Sequence, residues 1–198
     1  MIGIKYRLVE NELQDELDSS KFFGSPVFPE GLLECLDPDD VFIGQINLED
    51  IKNYNDVLPK EGVLYFFINI NMYPYQGKVV YSNKERYLVV DDINDEFIEG
   101  YQIPKAMYME FYEVDDDINT KCEYNWEDFG IQMLGDYPDF IEEEYCLTDY
   151  RCLLMIDAME VEIFPNFGSY DGYIFFMIRE EDLINQNFND ILLITWDS

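Results

Sequence analysis

The chain has 198 residues, of which 48% are hydrophobic and 17% aromatic, and this composition excludes a disordered chain. Its 43 acidic and 12 basic residues give a formal net charge of −31, which disfavours binding to nucleic acid or to an anionic membrane surface. No histidine is present, so a Ser-His or Cys-His catalytic pair is excluded.

Elements of several kinds are predicted in the first half of the chain. Gly24 and the neighbouring prolines break regular structure over 19–29, which predicts an ordered, aromatic-rich loop. Asn47 is a typical helix N-cap residue and predicts a brief helical turn after a strand. The other predicted elements are an amphipathic helix over 8–18, strands over 41–46 and 63–68, a turn over 58–62, and a hairpin with arms at 78–81 and 86–91.

Strands also dominate the predictions for the second half. The acids from Glu180 to Asp182 complement the dipole of a helix start and predict a helical turn there. Strands outnumber helices without a regular βαβ alternation, which disfavours a doubly wound sheet. The other predicted elements are strands over 106–114, 151–157, 173–179 and 191–194, a polar loop over 115–129, and a short acidic helix over 139–145.

An internal repeat relates the two halves at an offset of 110 residues. Chance similarity among apolar runs is the alternative explanation. The aligned pairs are Phe42–Asn47 with Cys152–Asp157, Gly62–Ile68 with Gly172–Ile178, and, with one residue of slip, 23–25 with 134–136.

The repeat predicts a β-rich α+β fold. Two pseudo-symmetric, duplicated halves of antiparallel sheet, at about 20–82 and 131–195, carry a few short helices and form one compact domain over 1–198. A chain of this length buries roughly 70% of the surface that it exposes when unfolded, so it needs neither disulfides nor a metal to hold a core.

Five short motifs are spread over most of the chain. They are a Ser-Lys-Phe-Gly-Gly-x-Pro loop, a strand ending in Gln-Ile-Asn/Asp-Leu, a Leu-Pro-x-x-Gly-x-Leu-Tyr-Phe-Phe turn and strand, a Leu-Gly-Tyr-Pro-x-x-Ile-Gln segment, and a Gly-x-Leu-x-Phe-Phe strand, matched at 20–26, 42–48, 58–67, 134–142 and 172–177. Together they resemble the YwqG-like family, a bacterial domain of unknown function. The resemblance implies a fold but no activity. Phe23, Met155 and Glu142 depart from the pattern, which has Gly, Gln and Gln there, so a site lined by those glutamines is incomplete in this chain.

Four residues are candidates for binding. Lys21 lies in a Gly/Pro loop with Ser20 and Ser25 close by, which permits hydroxyl–lysine chemistry, and pairing of Lys21 with a carboxylate is the alternative. Gln45 and Asn47 end the first repeat's strand. Asp157 matches Asn47 in the second repeat, and a strand-end cap is the alternative role for Asp157.

The sequence predicts no metal site, no cofactor and no catalytic residue. The four cysteines lack the spacing of a zinc site, and we expect them reduced, with Cys152 in the core. Asp115, Asp117 and Asn119 have the oxygen spacing of an EF-hand loop. The sixth and twelfth positions of that loop lack its glycine and glutamate, however.

The combined features predict an acidic protein of the cytoplasm. No signal peptide is visible, and the longest apolar runs, about six residues, are too short for a membrane span. We expect a non-enzymatic protein-interaction module that binds a basic protein, as an immunity protein does. The alternative is a small-ligand-binding protein or a carboxylate-dependent enzyme of an unrecognised class, which a deep pocket at the four candidate residues would favour. The oligomeric state stays open.

The loop aromatics have two competing interpretations. They anchor an interface with a partner, or they fold over the core as plugs. The residues concerned are Phe22, Phe23, Phe28, Tyr73 and Tyr75.

The large negative charge predicts that folded stability depends on salt. Because like charges repel at low ionic strength and are screened at high ionic strength, the melting temperature should rise with added monovalent salt. Thermal unfolding followed by circular dichroism in a sodium chloride series measures this. A melting temperature that stays constant or falls over the series contradicts the prediction.

Overall fold

The computed structural model describes residues 1–9, 17–69, 71, 73–84, 87–89, 105–114, 130–135, 137–157 and 172–197. A 3₁₀ turn lies at Leu33–Cys35. The helices are α1 (Leu48–Ile51), α2 (Asp139–Tyr145) and α3 (Glu180–Ile184), and the strands are β1 (Ile2–Leu8), β2 (Lys21–Phe22), β3 (Val27–Pro29), β4 (Asp40–Asn47), β5 (Val63–Asn69), β6 (Gln76–Ser82), β7 (Tyr87–Val89), β8 (Met107–Glu113), β9 (Ile131–Gly135), β10 (Tyr150–Asp157), β11 (Gly172–Arg179) and β12 (Ile191–Asp197).

The described residues form two compact units. Those within 6–110 form the first unit, and those within 1–5 and 111–198 form the second. In the first unit the strand order is β8-β2-β4-β5-β6, and β3 pairs with β7 as a separate ribbon. In the second unit the strand order is β1-β9-β10-β11-β12. The pairings within each unit are antiparallel.

The central strand pairs of the two units have the same register at the predicted offset of 110 residues. In the first unit Asp40 at the start of β4 lies opposite Asn69 at the end of β5. In the second unit Tyr150 at the start of β10 lies opposite Arg179 at the end of β11. The repeat therefore extends from sequence similarity to the pairing of individual residues.

Two local irregularities also recur at corresponding positions. The β4–β5 register shifts between Phe42 and Gly44, and the β10–β11 register shifts at the same place 110 residues later. Phe23 and Leu134 both have a left-handed backbone, with φ of 51° and 50°. A side chain costs roughly 1–2 kcal/mol in this region. Left-handed residues at matching positions indicate that the two units share the same backbone conformation there.

Each unit has its own hydrophobic cluster. In the first unit the ring of Phe28 packs edge-on against Tyr65 and Phe42, with centroid distances of 5.3 and 5.8 Å. The Tyr65 hydroxyl donates a hydrogen bond of 2.7 Å to the Val27 carbonyl, so this buried polar group is satisfied. In the second unit the cluster consists of Ile141, Leu147, Cys152, Met155, Tyr173, Phe175, Met177 and Ile194.

The predicted β-rich α+β class, with antiparallel strands and a few short helices, is confirmed. The acidic helix over 139–145 has the predicted bounds, and Asn47 caps α1. Apolar, β-branched and aromatic runs predict the central strands well because these strands are buried almost throughout. The prediction of a single domain over 1–198 stays a prediction. None of the described helices has the length and apolar character to span a bilayer.

The predicted hairpin over 78–91 is wrong. β6 pairs with β5, whereas β7 pairs with β3, so the two arms lie in different ribbons. The turn residues between the arms predict pairing of adjacent segments, but β7 instead pairs with β3, which lies far away in the chain. The predicted loop over 19–29 contains β2 and β3, and the sequence predicts neither β1 nor β9. Most of the predicted helix over 8–18, and the polar loop over 115–129 with its EF-hand-like spacing, lie outside the described residues.

The repeated left-handed position predicts unequal responses to glycine. Phe23→Gly removes strain but also a fully buried ring, so the free energy of unfolding should fall by about 3 kcal/mol. Leu134→Gly removes the same strain from a half-buried side chain, so its effect should stay within about 1 kcal/mol. Urea unfolding of both variants measures the difference, and equal losses contradict it.

Candidate functional site

Lys21 and Gln45 form the centre of a buried polar cluster in the first unit. Lys21 on β2 lies opposite Gln45 on β4, and the two residues are 0% and 1% exposed. The Lys21 Nζ donates a hydrogen bond of 2.7 Å to the Ser25 carbonyl. A buried ammonium group is tolerated only when it is hydrogen-bonded, so this contact fixes the loop around it.

The side-chain amide of Gln45 makes three hydrogen bonds, all of them to backbone groups of the neighbouring loop. Its Oε1 accepts from the Val27 N–H at 3.1 Å. Its Nε2 donates to the carbonyls of Leu17 and Ser19 at 2.9 and 3.1 Å. Gln45 therefore fastens both ends of this loop to β4, and a ligand would have to break these bonds to reach the amide.

Asn47 belongs to a second layer of the same cluster. Its backbone N–H donates to the Ser20 Oγ at 2.8 Å, and that hydroxyl donates to the Asp50 Oδ2 at 2.7 Å. Its side chain accepts from the Glu49 N–H at 3.1 Å, which is the predicted N-cap. Lys21, Gln45 and Asn47 are thus brought together, but each described contact is one that holds the fold.

The second unit has different residues at the equivalent positions. Gln132 stands for Lys21 and Met155 stands for Gln45, and the Gln132 Nε2 lies 3.7 Å from the Met155 Sδ. Asp157, the fourth candidate, ends β10 in this unit and is 8% exposed.

A polar groove of about 370 Å³ lies elsewhere in the first unit, where β4 begins, β5 ends and β6 begins. The four candidate residues do not line it. Within the described residues no acidic and cysteine side chains are grouped so as to hold a metal ion. The lining residues are Asp37, Pro38, Asp39, Asp40, Asn69, Gln76, Gly77 and Lys78.

Asp40 is the buried acid of this groove. It is 4% exposed, and both carboxylate oxygens are hydrogen-bonded. The Oδ1 accepts from the Asn69 Nδ2 at 3.2 Å, and the Oδ2 accepts from the Asp37 N–H at 2.9 Å and from the Lys78 Nζ. The charge of Asp40 is therefore compensated where it is removed from water.

Lys78 is the cation of the groove. Its Nζ also lies 3.3 Å from the Asp37 Oδ2 and donates to the Cys35 carbonyl at 3.3 Å. Partial burial lowers the pKa of Lys78, but the hydrogen bond and charge of Asp40, followed by those of Asp37, outweigh burial and raise the pKa above its ordinary value. With Asp39, the groove contains three carboxylates and one ammonium, so it is negative.

The repeat does not duplicate this acidic groove. At the register positions of Asp40 and Asn69, the second unit has Tyr150 and Arg179. The Arg179 Nε donates to the Tyr150 hydroxyl at 3.2 Å, and its guanidinium lies 5.5 Å from the Tyr150 ring centroid. The acidic character is therefore a property of the first unit's strand ends and not of the shared backbone.

The structure divides the loop aromatics into buried and exposed residues. Phe22, Phe23 and Phe28 are at most 1% exposed, so they plug the core. Tyr73, in the connection between β5 and β6, is 90% exposed, and its ring meets that of Tyr75 edge-on at 6.0 Å. Sequence reasoning missed the groove, although the run of acids immediately before β4 was a usable signal.

Comparison with known families assigns the chain. Residues 20–197 match the family described as Domain of unknown function (DUF1963). This match covers most of the chain, so the chain belongs to that family. No curated protein matches the chain.

Removal of the groove's cation tests the electrostatics of Asp40. Lys78→Met leaves a buried carboxylate without a counter-charge, so the free energy of unfolding at neutral pH should fall by roughly 1–3 kcal/mol, below the value for a fully buried pair because Lys78 is partly exposed. Arg151→Met is the matched control. Its exposed pair with Glu180 should contribute no more than about 1 kcal/mol. Equal losses in the two variants contradict the prediction.

The penalty of Lys78→Met should also depend on pH in one direction. Because the folded-state pKa of Lys78 is raised above 10.5, its stabilisation is fully present below that value and is lost as the pH rises through the folded-state pKa. The difference between wild type and variant should be constant between about pH 6 and about pH 9 and shrink at higher pH. Urea unfolding at each pH checks this, and a difference that grows above pH 10.5 contradicts it.

Proposed function

We propose that this chain is a YwqG-like bacterial protein of the cytoplasm that binds a basic protein without catalysing a reaction, as an immunity protein binds its toxin. The observation that carries the proposal is the uneven use of charge. Among the residues that the structure describes, most basic side chains contact groups of the chain itself, and most acidic side chains are exposed to solvent.

Most of the basic side chains that the structure describes contact groups of their own chain. Lys78 pairs with two carboxylates, and Lys60 donates to the Lys52 carbonyl at 3.0 Å. Others lie over aromatic rings or donate to hydroxyl, carboxylate or carbonyl oxygens. They include Lys5, Arg7, Lys21, Lys60, Lys78, Lys84, Arg151 and Arg179.

Exposed carboxylates are found in both units. They far outnumber the few cations that pair with them, in keeping with the net charge of −31. A surface of one sign raises the encounter rate with a partner of the opposite sign and repels anions. The exposed acids include Glu30, Glu34, Asp37, Glu49, Asp50, Asp56 and Glu61 in the first unit and Asp139, Glu143, Glu144, Glu180 and Glu181 in the second.

The surroundings of Lys21 and Gln45, two of the candidate binding residues, support binding by the exterior over chemistry at these side chains. Lys21 is fully buried and bonded to the backbone, and the amide of Gln45 is committed to three backbone groups. A nucleophile or base has to reach its substrate. The described contacts therefore favour structural roles for both residues, which leaves the exterior as the surface that other molecules meet.

Affinity capture at two salt concentrations tests the proposal. The tagged full chain is incubated with a lysate of its native host at low salt, and bound proteins are eluted with high salt. We expect a basic protein to be retained and then released, because attraction between exposed charges is screened by salt. If no basic protein is retained at low salt, the proposal fails.

A charge variant measures the contribution of the exterior once a partner is purified. Replacing Glu143, Glu144 and Glu181 with glutamine should slow association by roughly threefold at low salt, because these exposed acids contribute to long-range attraction. Replacing the same residues with aspartate keeps the charge and is the matched control. Stopped-flow association rates compare the two, and equal rates contradict an electrostatic encounter.

A further inference from the structure

The connection between β5 and β6 exposes an aromatic side chain beside the groove. Tyr73 is 90% exposed, the largest exposed fraction among the apolar and aromatic side chains that the structure describes as exposed. Its edge-on contact with Tyr75 supports one side of the ring and leaves the rest to solvent. An aromatic ring that is so exposed at a hairpin tip is suited to bind a partner, since tyrosine is enriched among the residues that dominate binding energy at interfaces.

The connection that carries this ring begins and ends at the groove. The two residues that flank the connection, Asn69 and Gln76, are register partners, and both line the groove. Three residues of extended chain span at most about 11 Å, so the Cα atoms of Tyr73 and Gln76 are no farther apart than that. Asn71, in the same connection, donates from its Nδ2 to the Asp39 Oδ1, which ties the tip to the acidic wall of the groove.

The charge of the groove decides what fits there. Lys78 is held by Asp40 and Asp37 at the strand ends, so it neutralises one of three carboxylates. The side chain of Asp37 remains 72% exposed, and Asp39 is partly exposed. The groove is therefore open to solvent and negative, and it is complementary to a cation.

We infer that the β5–β6 hairpin tip and the groove beside it dock an arginine side chain of a basic protein partner. A guanidinium group is planar, can donate hydrogen bonds to two carboxylates in one plane, and stacks on an aromatic ring, whereas an ammonium group is a compact and strongly hydrated charge. Asp37 and Asp39 supply the carboxylates, and Tyr73 supplies the ring. The inference rests on the proposed function, because it names where the basic partner is recognised.

Short synthetic peptides test the inference without knowledge of the natural partner. The probes are an acetylated and amidated peptide of three Gly-Arg repeats and its lysine counterpart, each titrated into the full chain at low salt by calorimetry. We expect the arginine peptide to bind about threefold more tightly than the lysine peptide. Equal affinity for the two peptides overturns the assignment of arginine.

Variants locate the binding. Tyr73→Ala and Asp39→Asn should each weaken the arginine peptide by about threefold, and Tyr73→Phe, which keeps the ring, should bind as the wild type does. Tyr145→Ala and Glu142→Gln, which alter an exposed tyrosine and a partly exposed acid on α2, are matched controls and should have no more than a small effect. All four side chains that are changed are at least partly exposed, and melting temperatures verify that the variants fold.

Three outcomes distinguish the inference from the proposed function. If the groove variants lose no more affinity than the α2 controls, this docking surface is wrong, while capture of a basic partner still supports the proposed function. If calcium chloride displaces the peptide at matched ionic strength and Asp39→Asn weakens calcium binding, the groove is a metal site and the inference is overturned. If the groove variants bind the arginine peptide more weakly than the controls do, but no basic protein is captured from the host, the docking surface is supported and the proposed function fails.

Discussion

Satisfaction of buried backbone groups is the constraint on which the first unit depends. The segment from Leu17 to Pro29 crosses the fold with strands of only two and three residues, so few of its N–H and C=O groups are paired within a ladder. The side chains of Lys21 and Gln45 supply partners for several of these groups. A buried polar group without a partner costs about 1–3 kcal/mol, which is a substantial part of the stability of a domain. The described hydrogen bonds of Lys21 and Gln45 therefore hold this segment in place beside β4.

The repeat separates the features that the two units share in their backbones from those that depend on individual side chains. Strand order, register, the bulge and the left-handed turn are shared, since they are properties of the backbone. The side chains on these backbones differ between the units. Gln45 hydrogen-bonds to three backbone groups of the neighbouring loop, whereas Met155 lies opposite Gln132 on β9 and contacts its side-chain amide.

Among the residues that the structure describes, most acidic side chains lie outside the hydrophobic core, so the charge is consistent with the packing there. Buried acids are few among the described residues, and Asp40, the best-defined of them, has a complete set of hydrogen bonds and a lysine partner. The exposed acids are separated by solvent, where each repulsive contact is weak. Their sum favours encounter with a basic molecule, and the groove at the β5–β6 hairpin combines that field with an exposed aromatic ring.

The sequence by itself determined the fold class, the central strands, the acidic helix and the repeat offset. These follow from short-range composition, because a strand buried on both faces reads as a continuous apolar run and a helix start reads as an N-cap or a group of acids. It did not determine that β7 pairs with β3 or that the side chains of Lys21 and Gln45 hydrogen-bond to the backbone. The sequence also did not predict the groove around Asp40 and Lys78. These two residues are 38 positions apart in the chain, and they meet only through the register of β4, β5 and β6. Pairings between distant segments depend on which backbone groups are left to satisfy once the sheet has formed, and that is decided by tertiary structure.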